Sequence, residues 1–447
     1  MNLVVCLQNA KDSLNVEETT LWGYNEMTQS KEYQINMASG VFSGVEPAPP
    51  IEVFQNTAAF NKDDYPYKVN LSVGVYRTEE NKPWVLPVVR KVEMGMANDM
   101  SLNKEYLPMA GLNSFTESAN RLLLGDDSTA IREERVFGMQ CVGGTGAVRM
   151  GAELLYRYAN RKIVYITDPS WPNHVGVFGD TGYEVRTYSY WDSRTSGMDW
   201  DSVKFSLKNA PEGSVFVLQA VAHNPTGVDP SKEQWMEIAT IMKERKLFPF
   251  FDLAYQGFSS GDLESDAWSV RYFASLGFDM FCAQSFSKNF GLYNDRVGLL
   301  AIIVSDQSHI AIAKSHVELI GRRVHASSPH HGARIVSTIL NNQALREEWK
   351  GCVTKMATRI KLMRQKLYQK LVVLGTPGSW EHVVQQNGMF FYSGLNVRQV
   401  EFLTKEYHIY LLKSGRINMC GLTLENMDYV ANAIHEAVTN IHDEPEV

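Results

Sequence analysis

The sequence predicts an α/β protein built around a mostly parallel sheet, and three observations lead there. Between about residues 115 and 305, apolar runs at 136–142, 163–167, 215–222, 248–253, 281–286 and 297–304 alternate with helical or loop segments. Short apolar runs separated by enough chain for a crossover helix are the pattern of strands covered on both faces. Beyond about residue 343 the pattern changes to a long helix, with Trp349, Val353, Met356, Ile360, Met363 and Leu367 recurring at alternating steps of four and three. Short strand-like segments at 388–393, 408–412 and 416–419 and a last helix near 425–440 then complete a smaller α+β domain. The resulting division is an N-terminal extension and arm (1–44), a first part of the small domain (45–83), a large domain carrying the sheet (84–343) and a second part of the small domain (344–447).

The chain has 447 residues, enough for two or three domains, and its 44% hydrophobic and 21% charged residues are ordinary for a globular protein. A net charge of -7 provides no electrostatic reason to expect nucleic acid or an acidic membrane as partner. The five cysteines are scattered, odd in number and without a CxxC pair, which suits a reducing compartment.

Residues 1–36 are acidic and contain no arginine, which is wrong for a mitochondrial presequence, and Leu3–Leu7 is too short for a secretory core or a membrane span. They read as an extension, with Met37 as an alternative start. After the Pro-rich stretch at 46–50, residues 51–60 read as a helix and 68–76 as a strand with Gly74 in it. The basic outer face of the long helix after 343 is a solvated face over a packed stripe, in preference to a membrane or partner-binding helix.

Sites in open parallel sheets lie beyond the carboxyl ends of the strands. Val142-Gly-Gly-Thr-Gly-Ala147 joins a strand to a helical segment beginning near Val148, so its N–H groups suit an anion at a helix N-terminus. It lacks the Gly-Lys-Ser/Thr of a Walker motif, and a glycine turn without a ligand is the lesser alternative to a phosphate site. Trp171, in a loop after the next strand, is placed either to stack on a planar ring or to pack in the core. Asn224, before Pro225, is held out of the helical region with its amide free for a ligand, or else is simply part of a turn. Asp252 is the only charge in 248–252 and needs a partner; a pyridinium N–H and a helix cap both qualify. Tyr255 follows closely enough to reach the same region.

Lys288 follows the apolar run 281–286, where partial desolvation lowers the pKa of its ammonium toward a usable amine. Ser285, Ser287 and Arg296 flank it with anion-binding groups, although a surface lysine is the reading for any lysine taken alone. An amine beside an anion site matches an aldehyde that carries a phosphate, and pyridoxal phosphate has both handles. Arg416, between Gly415 and an apolar segment, is fixed so as to hold a carboxylate bidentately or to form a structural ion pair.

Taken together, His223–Gly227 (HNPTG), Asp252–Gly257 (DLAYQG), Ser285–Gly298 (SFSKNFGLYNDRVG) and Ser414–Leu422 (SGRINMCGL), in that composition and order, resemble the aspartate aminotransferase family. The likeness is to the eukaryotic cytosolic branch, of the class I, fold type I pyridoxal-phosphate enzymes, and runs from about residue 45 to about 441. It implies that Lys288 forms the Schiff base with the cofactor and later carries the proton, and that Asp252 pairs the pyridine nitrogen. By the same resemblance Tyr255 and Asn224 bind the ring oxygen and Trp171 stacks on the ring. Gly144, Thr145, Ser285 and Arg296 hold the phosphate, joined by Tyr106 from the other subunit of a homodimer. Arg416 takes the substrate α-carboxylate, Gly74 lines the site, and Arg322 of the other subunit takes the side-chain carboxylate, with Arg323 adjacent to it. The implied substrates are dicarboxylic amino and keto acids, the implied location is cytoplasmic, and no metal is called for.

The sequence departs from the family pattern at His325–Ser328, where an aromatic-Ser-Asn-Pro is usual, at Gly143, where serine is common, and at Gln219, which replaces a histidine near Asn224. Two rivals stand beside this reading. Ser285-Phe-Ser-Lys288 also matches the S-x-x-K of serine acyl-transfer enzymes, but the accompanying elements fall in the wrong order. A binding protein that kept the fold without the activity predicts loss of the lysine or the arginines, and they are present. Within transaminases, the alternative is an enzyme for aromatic amino acids. The whole reading requires the fold to bring Lys288 and Asp252 to one ring-sized site.

Overall fold

In the computed structural model, which describes residues 40–442, the apolar runs become strands of one seven-stranded sheet. Numbered within this sheet, they are β1 (Val136–Val142), β2 (Ile163–Asp168), β3 (Glu184–Ser189), β4 (Val215–Gln219), β5 (Phe248–Leu253), β6 (Met280–Ser285) and β7 (Val297–Ile303). The spatial order is β1-β7-β6-β5-β4-β2-β3. All pairings are parallel except those of β7, which runs antiparallel to both β1 and β6. The connection from β6 to β7 through residues 286–296 contains no crossover helix, so β7 returns in the opposite direction. Because β7 alone is reversed, the carboxyl ends of β1, β2, β4, β5 and β6 and the start of β7 meet at one edge.

Side chains alternate between two cores. Phe251 and Leu253 of β5 pack on one face, together with Trp349, Val353 and Met356 of the long helix. Phe248 and Phe250 pack on the other, with Val148 and Leu155. Four helices matter for the site: α1 (Gly143–Tyr158), α2 (Pro172–Thr181), α3 (Ile310–Val324) and α4 (Gln343–Val373). The stripe expected on α4, from Trp349 to Leu367, is buried. Two small sheets lie outside the central one: Val69–Asn70 pairs in parallel with Ile409–Tyr410, and Phe390–Tyr392 pairs antiparallel with Arg416–Asn418.

Three local expectations need correction. The strand read over 68–76 is limited to Val69–Asn70, because the following backbone is bonded by side chains instead of a ladder. Asn418 Nδ2 donates to the carbonyls of Val73 and Val75, and Tyr293 Oη accepts from the Tyr76 N–H. Helix α1 begins at Gly143, not near Val148, so the glycine-rich stretch is itself its first turn. Strand β3 was not singled out in the sequence; it is an edge strand with only Tyr188 buried, so it lacks an apolar run.

The described residues form two compact units, a short N-terminal one ending at Pro50 and the body from Ile51 onward. In the first, the Ser43 N–H donates to the Gly40 carbonyl at 2.8 Å and closes a turn. The extension read over 1–36, the alternative start at Met37 and Cys6 lie outside the described residues. Cys141, Cys282, Cys352 and Cys420 are buried thiols. Among the described residues, no helix is long and apolar enough to cross a membrane.

Candidate active site

The strand ends converge on a cleft lined by Gly74, Gly144, Thr145, Trp171, Asn224, Asp252, Tyr255, Ser285, Lys288 and Arg296. Lys288 and Asp252 thus share one site, as the sequence reading requires. Lys288 sits just past β6, with its Nζ 5.0 Å from the centre of the Tyr255 ring. Its side chain is half-buried in the cleft. Burial lowers its pKa to about 8; the Asp252 carboxylate opposes that shift, while the charges of Arg296 and Arg416 add to it. The neutral amine therefore predominates above about pH 8 instead of above 10.5. In cofactor-free protein, reductive trapping of a small aldehyde on Lys288 should reach half its plateau near pH 8 and fall as the pH drops below that. A half-point near 10.5 would show an unperturbed amine.

Asp252, at the end of β5, is buried and meets His174 Nε2 at 2.7 Å. His174 is fully buried in the first turn of α2, and its Nδ1 lies 3.0 Å from Ser170 Oγ. Trp171, at the N-cap of α2, presents its ring edge-on to His174 at 5.2 Å. Burial pushes the Tyr255 phenol well above its ordinary range, which keeps it protonated; the charge of Arg416 opposes the shift.

At the other end of the cleft, Arg296 Nη1 donates to Ser287 Oγ at 3.2 Å and to the Tyr293 carbonyl at 2.9 Å. The Arg296 carbonyl accepts the Gly143 N–H at 2.9 Å, which ties the start of α1 to the start of β7. Gly143 has φ +71, and a Cβ there would lie 2.2 Å from Arg296 Nη2; one on Gly144 would lie 2.8 Å from Ser285 Cβ. The departure at Gly143 therefore accommodates the guanidinium as well as removing a hydroxyl. Gly143→Ala is expected to cost about 1–3 kcal/mol and to displace Arg296. Thermal denaturation and retention of a phosphorylated ligand should both register it.

Arg416 is buried, with Nη1 donating to Asn224 Oδ1 at 3.1 Å and Nη2 to the Ser72 carbonyl at 2.8 Å. Its guanidinium carbon lies 4.1 Å from the centre of the Phe390 ring, which in turn meets Tyr255 edge-on. A Cβ on Gly74 would come within 2.9 Å of that ring, so a bare glycine lets the 72–75 backbone pass over Phe390. Arg416 Nε is buried with no protein partner. Burial lowers the Arg416 pKa to about 10, which leaves it charged at neutral pH.

Tyr106 and Arg322 lie apart from this cleft in the single chain. Tyr106 is 88% exposed, and Arg322 and Arg323 are exposed in the last turn of α3. The departing segment after them is anchored by Ser328 Oγ, which donates to the Gln140 carbonyl at 2.9 Å. Besides Ser72 and Phe390, which touch Arg416, sequence reasoning missed two residues nearer the cleft. His174 is one, since only its place just after a strand-end loop hints at a role and its partner Asp252 is distant in the chain. Tyr293 is the other; it lines the cleft and resembles any loop tyrosine in the sequence.

Residues 66–434 match the model of a family described as aminotransferase class I and II. The chain belongs to that family. It is 54% identical to the cytoplasmic aspartate aminotransferase of Gallus gallus over 411 residues, covering 91% of this chain and 100% of the relative. The cytoplasmic aspartate aminotransferase of Saccharomyces cerevisiae superposes with a TM-score of 0.88 at 38% identity, covering 90% of this chain and 99% of that one. An aromatic-amino-acid aminotransferase of Burkholderia pseudomallei, covalently bound to pyridoxal phosphate, superposes with a TM-score of 0.87 at 40% identity, covering 89% and 100%.

As a class I and II aminotransferase the chain is a pyridoxal-phosphate enzyme. Its cleft fits that cofactor on structural grounds. A low-pKa amine, an acid held by His174 and a cradle of glycine backbone, serine hydroxyls and one guanidinium lie in one cleft. The space that Cβ atoms on Gly143 and Gly144 would fill is kept clear beside Arg296 and Ser285.

Proposed function

We propose that this aminotransferase reversibly transfers the amino group between L-aspartate and 2-oxoglutarate, giving oxaloacetate and L-glutamate by a ping-pong mechanism. The observation that carries the reading is the buried Arg416, whose Nε has no protein partner although its terminal nitrogens are engaged. A guanidinium held this way is completed by a carboxylate from a ligand.

When bound, pyridoxal phosphate supplies an aldehyde for the amino group and an electron-withdrawing ring. Lys288 offers the amine that holds the aldehyde and, once displaced by substrate, takes the α-proton on Nζ and returns it. A pKa of about 8 leaves a substantial neutral fraction for that task near neutral pH. Asp252, fixed by His174, keeps a carboxylate for the ring nitrogen. Asn224 and Tyr255 serve the ring oxygen, Trp171 covers the ring, and Gly144, Thr145, Ser285 and Arg296 hold the phosphate beside the N-terminus of α1. Gly74 and Phe390 close the site around Arg416.

The second carboxylate of the substrate falls to Arg322 of the other subunit in a homodimer with shared sites, and Tyr106 of that subunit joins the phosphate. The exposure of both residues in the single chain supports this arrangement. A cytoplasmic location is supported by the relatives, which are named as cytoplasmic aspartate aminotransferases.

The test compares initial rates with aspartate and with phenylalanine, each against 2-oxoglutarate, in wild type and Arg322→Ala. A dicarboxylate enzyme prefers aspartate, and the substitution removes that preference. Equal rates in wild type, or an aspartate rate untouched by the substitution, would overturn the assignment.

A further inference from the structure

Asn224 has a backbone N–H and carbonyl that the sheet does not serve. It follows the end of β4 in the turn 220–227, and the proline after it has no N–H to offer. Gln219, the last residue of β4, supplies both partners. Its Oε1 accepts the Asn224 N–H at 2.8 Å and its Nε2 donates to the Asn224 carbonyl at 3.0 Å. Both peptide groups flanking the Asn224 α-carbon are therefore held by one side chain. The side chain of Asn224, once so aimed, accepts from Arg416.

Two further observations distinguish Gln219 from a residue that merely fills space. It is in register with Asp252 on β5, so it stands beside the site's acid while adding no charge of its own. It also lines both the catalytic cleft and a small internal cavity bounded by Thr167, Tyr190 and His223, and so forms the wall between them. His223 is braced separately, between the hydroxyls of Thr167 and Thr226. None of those bonds reaches the Asn224 backbone.

We propose that Gln219 is a positioning residue that aims Asn224 at Arg416 and at the cofactor's ring oxygen together, and so couples the carboxylate end of the site to the ring end. This rests on the aminotransferase assignment of Asn224 and Arg416 made above. A hydrogen-bond donor on the ring oxygen shares its negative charge and weakens its pull on a proton at the neighbouring nitrogen. A loosened Asn224 therefore raises the pH at which the bound cofactor's visible band changes.

The experiment uses the holoenzyme and the variants Gln219→Leu and Gln219→Met, which remove the amide; the unbranched methionine serves where leucine disturbs folding. Succinate, a dicarboxylate without an amino group, is titrated calorimetrically, and the visible band is titrated with pH. Expected are bound cofactor at wild-type stoichiometry, succinate bound about tenfold more weakly, as the loss of one or two net hydrogen bonds implies, and an upward shift of the band's midpoint. Succinate affinity within about twofold of wild type with an unmoved midpoint overturns the proposal. So does loss of cofactor from both variants, which would make Gln219 a folding requirement. Absence of the visible band in wild type would instead remove the underlying assignment.

Discussion

Lys288→Ala is expected to lower turnover by ~10⁴-fold or more while leaving the fold intact, because on the assignment proposed above one substitution removes both the amine that holds the aldehyde and the base that moves the α-proton. The residue follows a strand, is only half-buried, and makes no side-chain hydrogen bond on which the core depends, so the far-ultraviolet circular dichroism and the melting curve should change little. Borohydride should fix the cofactor to wild type and not to the variant. Added methylamine should restore part of the turnover, in proportion to its neutral fraction, since the vacated space admits a small amine. A variant that retains more than a few per cent of activity would remove Lys288 from the centre of the mechanism.

Arg416→Lys is expected to lower kcat/KM for aspartate by roughly 10²–10³-fold, and Arg416→Ala by more. Lysine keeps the charge but cannot engage Asn224 Oδ1, the Ser72 carbonyl and a substrate carboxylate in one plane. Alanine leaves those two buried acceptors unpaired and uncovers the Phe390 ring, so it should also destabilise the protein by about 2–4 kcal/mol. Wild-type binding of the substrate carboxylate should be insensitive to pH across the neutral range, because the Arg416 guanidinium keeps its charge there although burial lowers its pKa. Stopped-flow binding of succinate as a function of pH reads this directly, and an unchanged affinity in Arg416→Lys would place the carboxylate elsewhere.

Much of the site could be read before folding because its residues sit where strands end. Asp252 was legible as the only charge at the end of an apolar run, and Lys288 as an amine just past another. His174 was not legible, because what defines it is a 2.7 Å contact with Asp252, which is 78 positions along the chain. The same holds for Tyr293, whose hydroxyl faces the Tyr76 N–H 217 positions away. Gln219 was visible only as a departure from the family pattern. Its two bonds to the Asn224 backbone depend on the path of the turn between them.

Local pattern alone determined that the chain makes buried strands at 136–142 and 248–253, a long amphipathic helix from 343 and a low-pKa amine beside an anion site. Apolar periodicity and strand-end chemistry are encoded within a few residues, so one sequence carries them. The tertiary structure decided that β7 runs backward between β1 and β6, which brings Arg296 to the start of α1, and that Asn224, Ser72 and Phe390 close around Arg416. The contacts of Arg296 with Gly143 and of Arg416 with Asn224 and Ser72 join segments distant in the chain, 192 and 344 positions apart for the last two; only packing of the finished sheet and its neighbouring loops selects them.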